Sequence, residues 1–179
     1  GQTKPHNLDM DLTKSLHYVL GYDKQLGKNK KLHVETYYQY VFNIPVETKM
    51  SSFSLANTGS GFSRFFPDTL VNNGIGRNYG IEFTFEKYFT RGYYYLATLS
   101  LFDAKYKGSD EVWRNSDFNT GYAFNALFAR EISFGKKKAL NIGAKYTMAG
   151  ARRYSPMDVE MSKRRREYVE IDKLKNLTS

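Results

Sequence analysis

Three glutamates are the first candidates for chemistry in this sequence, because paired carboxylates can serve as a general acid and a general base. Glu35, Glu82 and Glu86 each lie in a segment where polar and apolar residues alternate. No serine, histidine and aspartate can be assigned from their spacing as an activated nucleophile. We therefore expect no enzyme activity and no catalytic residue.

Histidine and cysteine usage argues against a metal site. His6, His17 and His33 lack the spacing of a metal-ligand pair. The chain contains no Cys, which excludes disulfide scaffolds, iron–sulfur clusters and cysteine-based zinc sites. The sequence thus predicts neither a metal nor a cofactor.

Two short motifs and the net charge of +9 could indicate a phosphate or nucleic-acid ligand. Residues 74–80 are rich in glycine, but a dinucleotide-binding loop leads into a helix, whereas a strand pattern follows here. Residues 91–96 resemble an RNA-recognition motif that Tyr94 interrupts. Much of the excess charge falls in two short connections, at 24–31 and 136–138. We expect no nucleic-acid partner, although a soluble basic sheet that binds nucleic acid is an alternative.

Strict alternation of apolar and polar residues predicts strands with two different faces. The chain also has 15 Tyr and 13 Phe, which are typical strand residues. Only Met157–Leu177 has any helical character. No apolar run approaches the roughly 18 residues of a membrane-spanning helix. The six predicted strands are 15–23, 31–44, 78–89, 93–106, 118–134 and 139–149.

The alternation assigns residues to a lipid face and a lumen face, because successive strand side chains point to opposite sides. Ile44 falls on the lipid face with the other even positions of its strand. The lipid side is predicted to carry Val34, Tyr38, Ile81, Phe83, Phe124 and Phe128. The lumen side is predicted to carry Glu35, Gln39, Glu82, Thr84 and Asn125.

Short and long connections alternate along the chain, so all long loops of an antiparallel meander leave the sheet at one end. The predicted long outer loops are 45–77, 107–117 and 150–179. Transmembrane β-barrels have this asymmetry, and the smallest have about eight strands. We therefore interpret residues 1–179 as one all-β unit, an antiparallel transmembrane β-barrel segment of about six strands that is incomplete on its own.

The segment from Asn73 to Phe89, NGIGRNYGIEFTFEKYF, resembles a loop and strand near the carboxyl end of TonB-dependent outer-membrane receptors of Bacteroidetes. These are the receptors with a carboxypeptidase-regulatory-like domain at the amino end. Residues 14–22, 106–110 with 113–115, and 152–156 resemble the same family in the same order. The resemblance extends to about Glu160 and leaves the basic run at 163–166 unmatched.

The resemblance implies part of a transporter in the cell outer membrane that takes up a siderophore, glycan or peptide with energy from TonB. The implied partners are the rest of the barrel, a plug domain, TonB through the parent molecule, outer-membrane lipid, lipopolysaccharide and a surface lipoprotein. Trp113, Arg114, Arg152 and Arg153 are the expected outer-loop contacts. A structural or adhesive barrel that only displays its loops is the alternative from another functional class.

Overall fold

The computed structural model describes residues 7–58, 69–135, 138–151 and 159–165. They form an antiparallel sheet of seven strands that is not closed into a barrel. The predicted all-β, antiparallel class is confirmed. Within these ranges, no helix combines the length and the apolar character needed to cross a membrane.

Six long strands and one short strand make up the sheet. Its order is β1-β2-β3-β4-β6-β7, and β5 pairs with β4 beside this path. A 3₁₀ turn at Leu55–Asn57 and a short helix, α1 (Val159–Arg165), lie outside the sheet. The strands are β1 (Lys14–Gln25), β2 (Lys30–Glu47), β3 (Leu70–Thr90), β4 (Tyr93–Lys107), β5 (Trp113–Asn115), β6 (Tyr122–Phe134) and β7 (Lys138–Ala149).

The predicted boundaries differ from the structure at several places. β3 begins at Leu70 rather than at residue 78, and β2 continues to Glu47, because their ends pair with each other inside the predicted loop 45–77. The predicted loop 107–117 contains β5, which pairs with the end of β4. β6 begins at Tyr122, four residues later than predicted. The α1 helix lies in the predicted loop 150–179, within the segment Met157–Leu177 that has helical character in the sequence.

The short connections lie at one end of the sheet and the described long connections at the other. At the turn end, Arg91 and Gly92 have positive φ of 54° and 78°, which suits a two-residue hairpin turn. The backbone N–H of Tyr88 there donates to the carbonyl of Asn29 at 2.9 Å. At the loop end, the N–H of Ser51 donates to Ser109 Oγ at 2.9 Å. The alternation of connections predicts Asn29, Arg91 and Lys137 at one end and Asn57, Ser109 and Arg153 at the other. This holds for Asn29 and Arg91 and for Asn57 and Ser109, whereas Lys137 and Arg153 lie outside the described residues.

A β-bulge near the end of β2 changes the face on which its last residues lie. The register shifts between Val41 and Ile44, and Asn43 has a φ of 56°. One extra residue in a strand inverts the alternation beyond it, and Asn tolerates this backbone conformation. Ile44 therefore lies on the face predicted to line the lumen, beside Gly76. A Cβ added to this glycine would be 3.5 Å from Ile44 Cδ1. The prediction that Ile44 lies on the lipid face was wrong.

Apart from Lys87 at the turn end, the buried residues of the described chain cluster at the loop end. Ile44, Val46 and Tyr106 are 2%, 0% and 3% exposed. Ser54 and Asn119, from the two long loops, are also buried. By contrast, every residue of the edge strands β1 and β7 is exposed. The sheet thus has a packed end and two open edges.

Gly80 in β3 permits a close approach that a larger residue would prevent. A Cβ at this position would lie 2.7 Å from the carbonyl oxygen of Leu101 and 2.9 Å from the hydroxyl of Tyr37. We expect Gly80→Ala to lower the free energy of unfolding by about 1–3 kcal/mol, because the backbone of β4 must move. Urea denaturation of the intact protein in detergent would measure it.

Gly143→Ala is the matched control, since a Cβ there meets only the carbonyl oxygen of Phe128 at 3.7 Å, an ordinary contact. It should be neutral or stabilise the protein by about 0.5 kcal/mol, because alanine restricts the unfolded chain more than glycine does. Equal losses for the two variants would contradict the proposed steric cause.

Candidate functional site

The five predicted lumen residues lie on one face of the sheet, which we call the polar face. Residues paired across neighbouring antiparallel strands share a face. Glu35 pairs with Glu82 between β2 and β3, and Thr84 in β3 pairs with Thr98 in β4. Thr98 in turn pairs with Asn125 in β6. Gln39 follows Glu35 at an even spacing in β2, before the bulge.

Cross-strand hydrogen bonds connect the polar face at three places. Glu82 accepts a hydrogen bond from Ser100 Oγ at 2.7 Å. Gln39 accepts from the amide of Asn78 at 2.8 Å and donates to Ser15 Oγ at 3.1 Å. Asn125 accepts from Thr147 Oγ1 at 3.0 Å. The face is therefore lined by paired polar side chains that keep further donors and acceptors for water or solute.

His33 joins two carboxylates that the sequence analysis did not connect. Its Nδ1 lies 2.8 Å from Asp23 Oδ1, and its Nε2 lies 3.6 Å from Glu35 Oε2. The hairpin of β1 and β2 brings Asp23 opposite His33, whereas Glu35 follows on the same face of β2. Alternating polar residues at 33 and 35 were the available signal, but Asp23 required the register. In the part of the chain that the structure describes, no three acidic or histidine side chains group closely enough to hold a metal ion.

A cleft of about 550 Å³ opens on the polar face near the loop end. Two aromatic rings, Tyr37 and Phe102, and two amides, Gln39 and Asn78, contribute to its walls. Ala56 and Phe118 reach it from the two long loops. Aromatic surface combined with amide donors and acceptors can hold a solute that has both apolar and polar groups. Strand alternation predicts Gln39 on this face but does not identify the loop residues Ala56 and Phe118.

The predicted outer-loop residues Trp113 and Arg114 lie in different environments. Trp113 in β5 lies on the face opposite to the cleft, where the guanidinium of Arg77 is 4.3 Å from its ring centroid. Arg114 is only 6% exposed, and its Nη1 and Nη2 donate to the two carboxylate oxygens of Asp110 at 2.8 and 2.5 Å. Arg114 therefore holds the loop together, and its burial does not fit the predicted role as an outer-loop contact. Arg152 and Arg153 lie outside the described residues.

On the opposite face of the sheet, apolar side chains lie between charged residues near the two ends of the strands. We call this side the apolar face. Val34 pairs with Phe83, and Phe83 pairs with Leu99, so the predicted lipid residues of these strands share this side. Phe124 continues the same row in β6. The remaining predicted lipid residues, Tyr38, Ile81 and Phe128, pair with further residues of this face.

Charged residues of the apolar face mark both of its ends. In β3, Arg77 lies at the loop end and Lys87 at the turn end, ten positions apart in the chain. In β1, Lys14 and Lys24 lie on this face with the same spacing. Between the charges, the residues of this face are Leu16, Tyr18, Leu20 and Tyr22 in β1 and Tyr79, Ile81, Phe83 and Phe85 in β3.

The two motifs that suggested anion or RNA binding have structural roles. Residues 74–80 lie inside β3, and no helix follows them. Gly74 lies so close to β2 that a Cβ would be 2.6 Å from Val46 Cγ1. Residues 91–96 form the β3–β4 turn and the start of β4. The glycines therefore provide space and turn geometry within the sheet.

Comparison with protein-family models, curated proteins and solved structures found no match. The resemblance to TonB-dependent receptors therefore rests on the sequence segments quoted above, and a function must be argued from geometry.

Breaking the ion pair of Asp110 and Arg114 should loosen the loop end. We expect Asp110→Asn to lower the free energy of unfolding at pH 7 by about 2 kcal/mol, because it leaves the buried Arg114 without its charged partner. Urea denaturation would measure this loss. Asp23→Asn is the control, since Asp23 forms an exposed pair with Lys31 and its loss should cost much less than the loss of Asp110.

The same pair predicts a dependence on pH. Burial alone would raise the pKa of Asp110, but hydrogen bonds from Arg114 and from the N–H of Val112 outweigh it and hold the pKa below its usual value. The stabilisation is thus complete above the unfolded pKa of about 3.9 and is lost as the pH falls further. Acidification below about pH 4 should lower the free energy of unfolding of the native protein more than it lowers that of the Asp110→Asn variant. An identical acid response in both would contradict this role.

Proposed function

We propose that this chain forms part of the wall of an outer-membrane β-barrel, in a TonB-dependent receptor that takes up a siderophore, glycan or peptide. The apolar face contacts lipid, and the polar face lines the interior. The long loops lie at the cell surface, and the short turns lie in the periplasm. The resemblance supports the receptor class, and the distribution of charge on the sheet supports the membrane location.

The spacing of charges on the apolar face carries the proposal. Arg77 and Lys87 in β3, like Lys14 and Lys24 in β1, enclose a charge-free stretch of the same length. Ten residues at about 3.4 Å each span about 34 Å, which projects to about 26 Å at a strand tilt of about 40°. The apolar band of outer-membrane barrels is about 25 Å tall. The charges therefore fall at the two membrane boundaries.

The environment of Lys87 supports the position of the lower boundary. Its Nζ lies 3.5 Å from the ring centroid of Tyr93 and donates to the carbonyls of Thr90 and Tyr93 at 3.2 and 3.3 Å. A lysine on a lipid-facing strand directs its ammonium toward the polar boundary and leaves its methylenes in the apolar region. Tyrosines are enriched at the same level in membrane proteins.

The polar face supports a role in transport beyond display of loops. Hydrogen-bonded polar side chains continue from β1 to β7, and a cleft of about 550 Å³ opens among them. A wet interior of this kind would accommodate a plug domain and a solute path. The open edges at β1 and β7 would pair with the remaining strands, because lipid offers no hydrogen bonds to an unpaired edge. TonB would act through the parent molecule, and a surface lipoprotein would contact the loops.

Orientation can be tested by labelling single cysteines on whole cells, since the chain has no Cys of its own. We expect a membrane-impermeant maleimide to label Ser109→Cys, at the loop end, and to leave Arg91→Cys, in the β3–β4 turn, unlabelled. After lysis both positions should react. Labelling of position 91 but not 109 in whole cells would reverse the orientation, and equal labelling would contradict the membrane location.

Uptake can be tested in cells that have or lack the intact protein. Three labelled probes, a ferric siderophore, an oligosaccharide and an oligopeptide, represent the three substrate classes. Accumulation of one of them should require the protein and should stop when a protonophore removes the proton-motive force. A membrane-located protein that changes the uptake of none would instead support the structural or adhesive barrel.

A further inference from the structure

A basic patch lies on the apolar face at its loop end. Arg77 pairs with Lys105 between β3 and β4, and Lys107 pairs with Trp113 between β4 and β5. Lys107 Nζ and the guanidinium carbon of Arg77 lie 5.2 and 4.3 Å from the Trp113 ring centroid. We call these four residues the Trp113 patch. Three cations and one aromatic ring thus occupy a small area.

The acidic side chain beside the Trp113 patch is already engaged. Asp103 lies 3.3 Å from Lys105 Nζ and accepts hydrogen bonds from Tyr79 at 2.8 Å and from Asn119 at 2.7 Å. Among the residues that the structure describes, neither Arg77 nor Lys107 forms an ion pair. The patch therefore has a surplus of positive charge, carried by the guanidinium of Arg77 and the ammonium of Lys107.

These features favour a phosphate group as the ligand. A phosphate provides several acceptor oxygens, and an arginine edge can donate two parallel hydrogen bonds to it. Lys107 would add a second charge from the neighbouring strand. The contact with Trp113 holds the Arg77 guanidinium in place, which reduces the side-chain entropy that binding would remove.

The position of the patch indicates where the phosphate comes from. Of the two charges that enclose the apolar stretch of β3, Arg77 is the one at the loop end. Tyr79 is the next residue of the same face toward the turn end. A group bound to Arg77 and continuing along this face would enter the apolar region directly. Fatty-acyl chains attached to a phosphorylated headgroup meet both requirements, whereas a free anion would use only the upper part.

We propose that the Trp113 patch binds the phosphorylated headgroup of an outer-leaflet lipid, with the acyl chains lying along Tyr79, Ile81 and Phe83. This inference rests on the proposed membrane location. It assigns a specific lipid contact to Arg77, Lys105 and Lys107.

Native mass spectrometry of the intact protein in detergent would test this site with diphosphoryl lipid A as the probe. We expect Arg77→Gln and Lys107→Gln each to weaken lipid A binding about tenfold, because each removes one charge-assisted contact. Lys24→Gln removes a charge from the same face at the turn end and should leave binding unchanged. The two substituted residues lie on different strands. For each variant, faster migration of an unheated sample than of a heated one in gel electrophoresis would show that the protein is folded.

Two results would overturn the headgroup site. One is unchanged lipid A binding in the folded Arg77→Gln and Lys107→Gln variants. The other is displacement of lipid A by an equal concentration of inorganic phosphate, which would indicate a site for free anions. If cysteine labelling places the protein in the outer membrane, either result would contradict the lipid site but not the proposed position of this chain in the barrel wall. A protein found outside the membrane would contradict both proposals.

Discussion

Phe83→Arg should lower the free energy of unfolding in lipid vesicles by about 2–4 kcal/mol, the cost measured for arginine on the lipid face near the bilayer midplane. Phe83 lies between Arg77 and Lys87 in β3, near the middle of the charge-free stretch. Its neighbours in the paired strands are Val34 and Leu99, so no acid on this face is close enough to neutralise the new charge. Urea denaturation of the intact protein in phosphatidylcholine vesicles would measure the effect.

Thr84→Arg is the matched control, because the adjacent residue of β3 lies on the polar face. Glu86 is on that face of the same strand, and a cleft of about 290 Å³ that both residues line also contains Asp23, Lys31 and His33. The new arginine would therefore meet water and acidic side chains, and its cost should be below about 1 kcal/mol. A larger loss for Thr84→Arg than for Phe83→Arg would mean that the two faces are exchanged. Similar losses would mean that neither face contacts lipid.

The faces could be predicted from sequence because strand alternation is a local property. Glu82 and Phe83 are adjacent in the chain and must lie on opposite sides of any regular strand. The pairing of Glu82 with Ser100 did not follow from the tight turn alone, because a register shift between Lys87 and Thr90 moves the pairing by one residue. The charged boundaries at Arg77 and Lys87 were equally present in the sequence, but they gained meaning only when both were placed on one face.

Features that depend on distant pairing could not be predicted. The first residues of β3 contain Gly74 and Gly76 and do not alternate, and they are extended only because the end of β2 pairs with them. The bulge at Asn43 depends on that same pairing. β5 exists because Trp113 pairs with Lys107, and the pair of Asp110 and Arg114 closes the loop between them. Such contacts follow from tertiary packing, which local patterns do not encode.

In plain buffer, without detergent, lipid or the remaining strands, the 179-residue chain should not yield a stable monomer. Two observations give the physical reason. Among the described residues, no strand pairs with the outer edge of β1 or β7, and an open edge recruits other chains. Large apolar side chains are also exposed to solvent, including Tyr18 at 64%, Leu20 at 72% and Phe134 at 58%. We expect inclusion bodies on expression and aggregation on removal of denaturant.

Size-exclusion chromatography with light scattering, together with amide NMR spectra, would measure the outcome. Because the buried side chains cluster at the loop end around Ile44 and Val46, the middle of the sheet has no core that could hold it together in water. Dilution from denaturant into detergent, with the strands that continue the sheet supplied, should instead give a folded β-structure. A sharp monomeric peak in plain buffer, with cooperative thermal unfolding and dispersed amide resonances, would show that the apolar face tolerates water. The soluble basic sheet would then replace the membrane wall as the better interpretation.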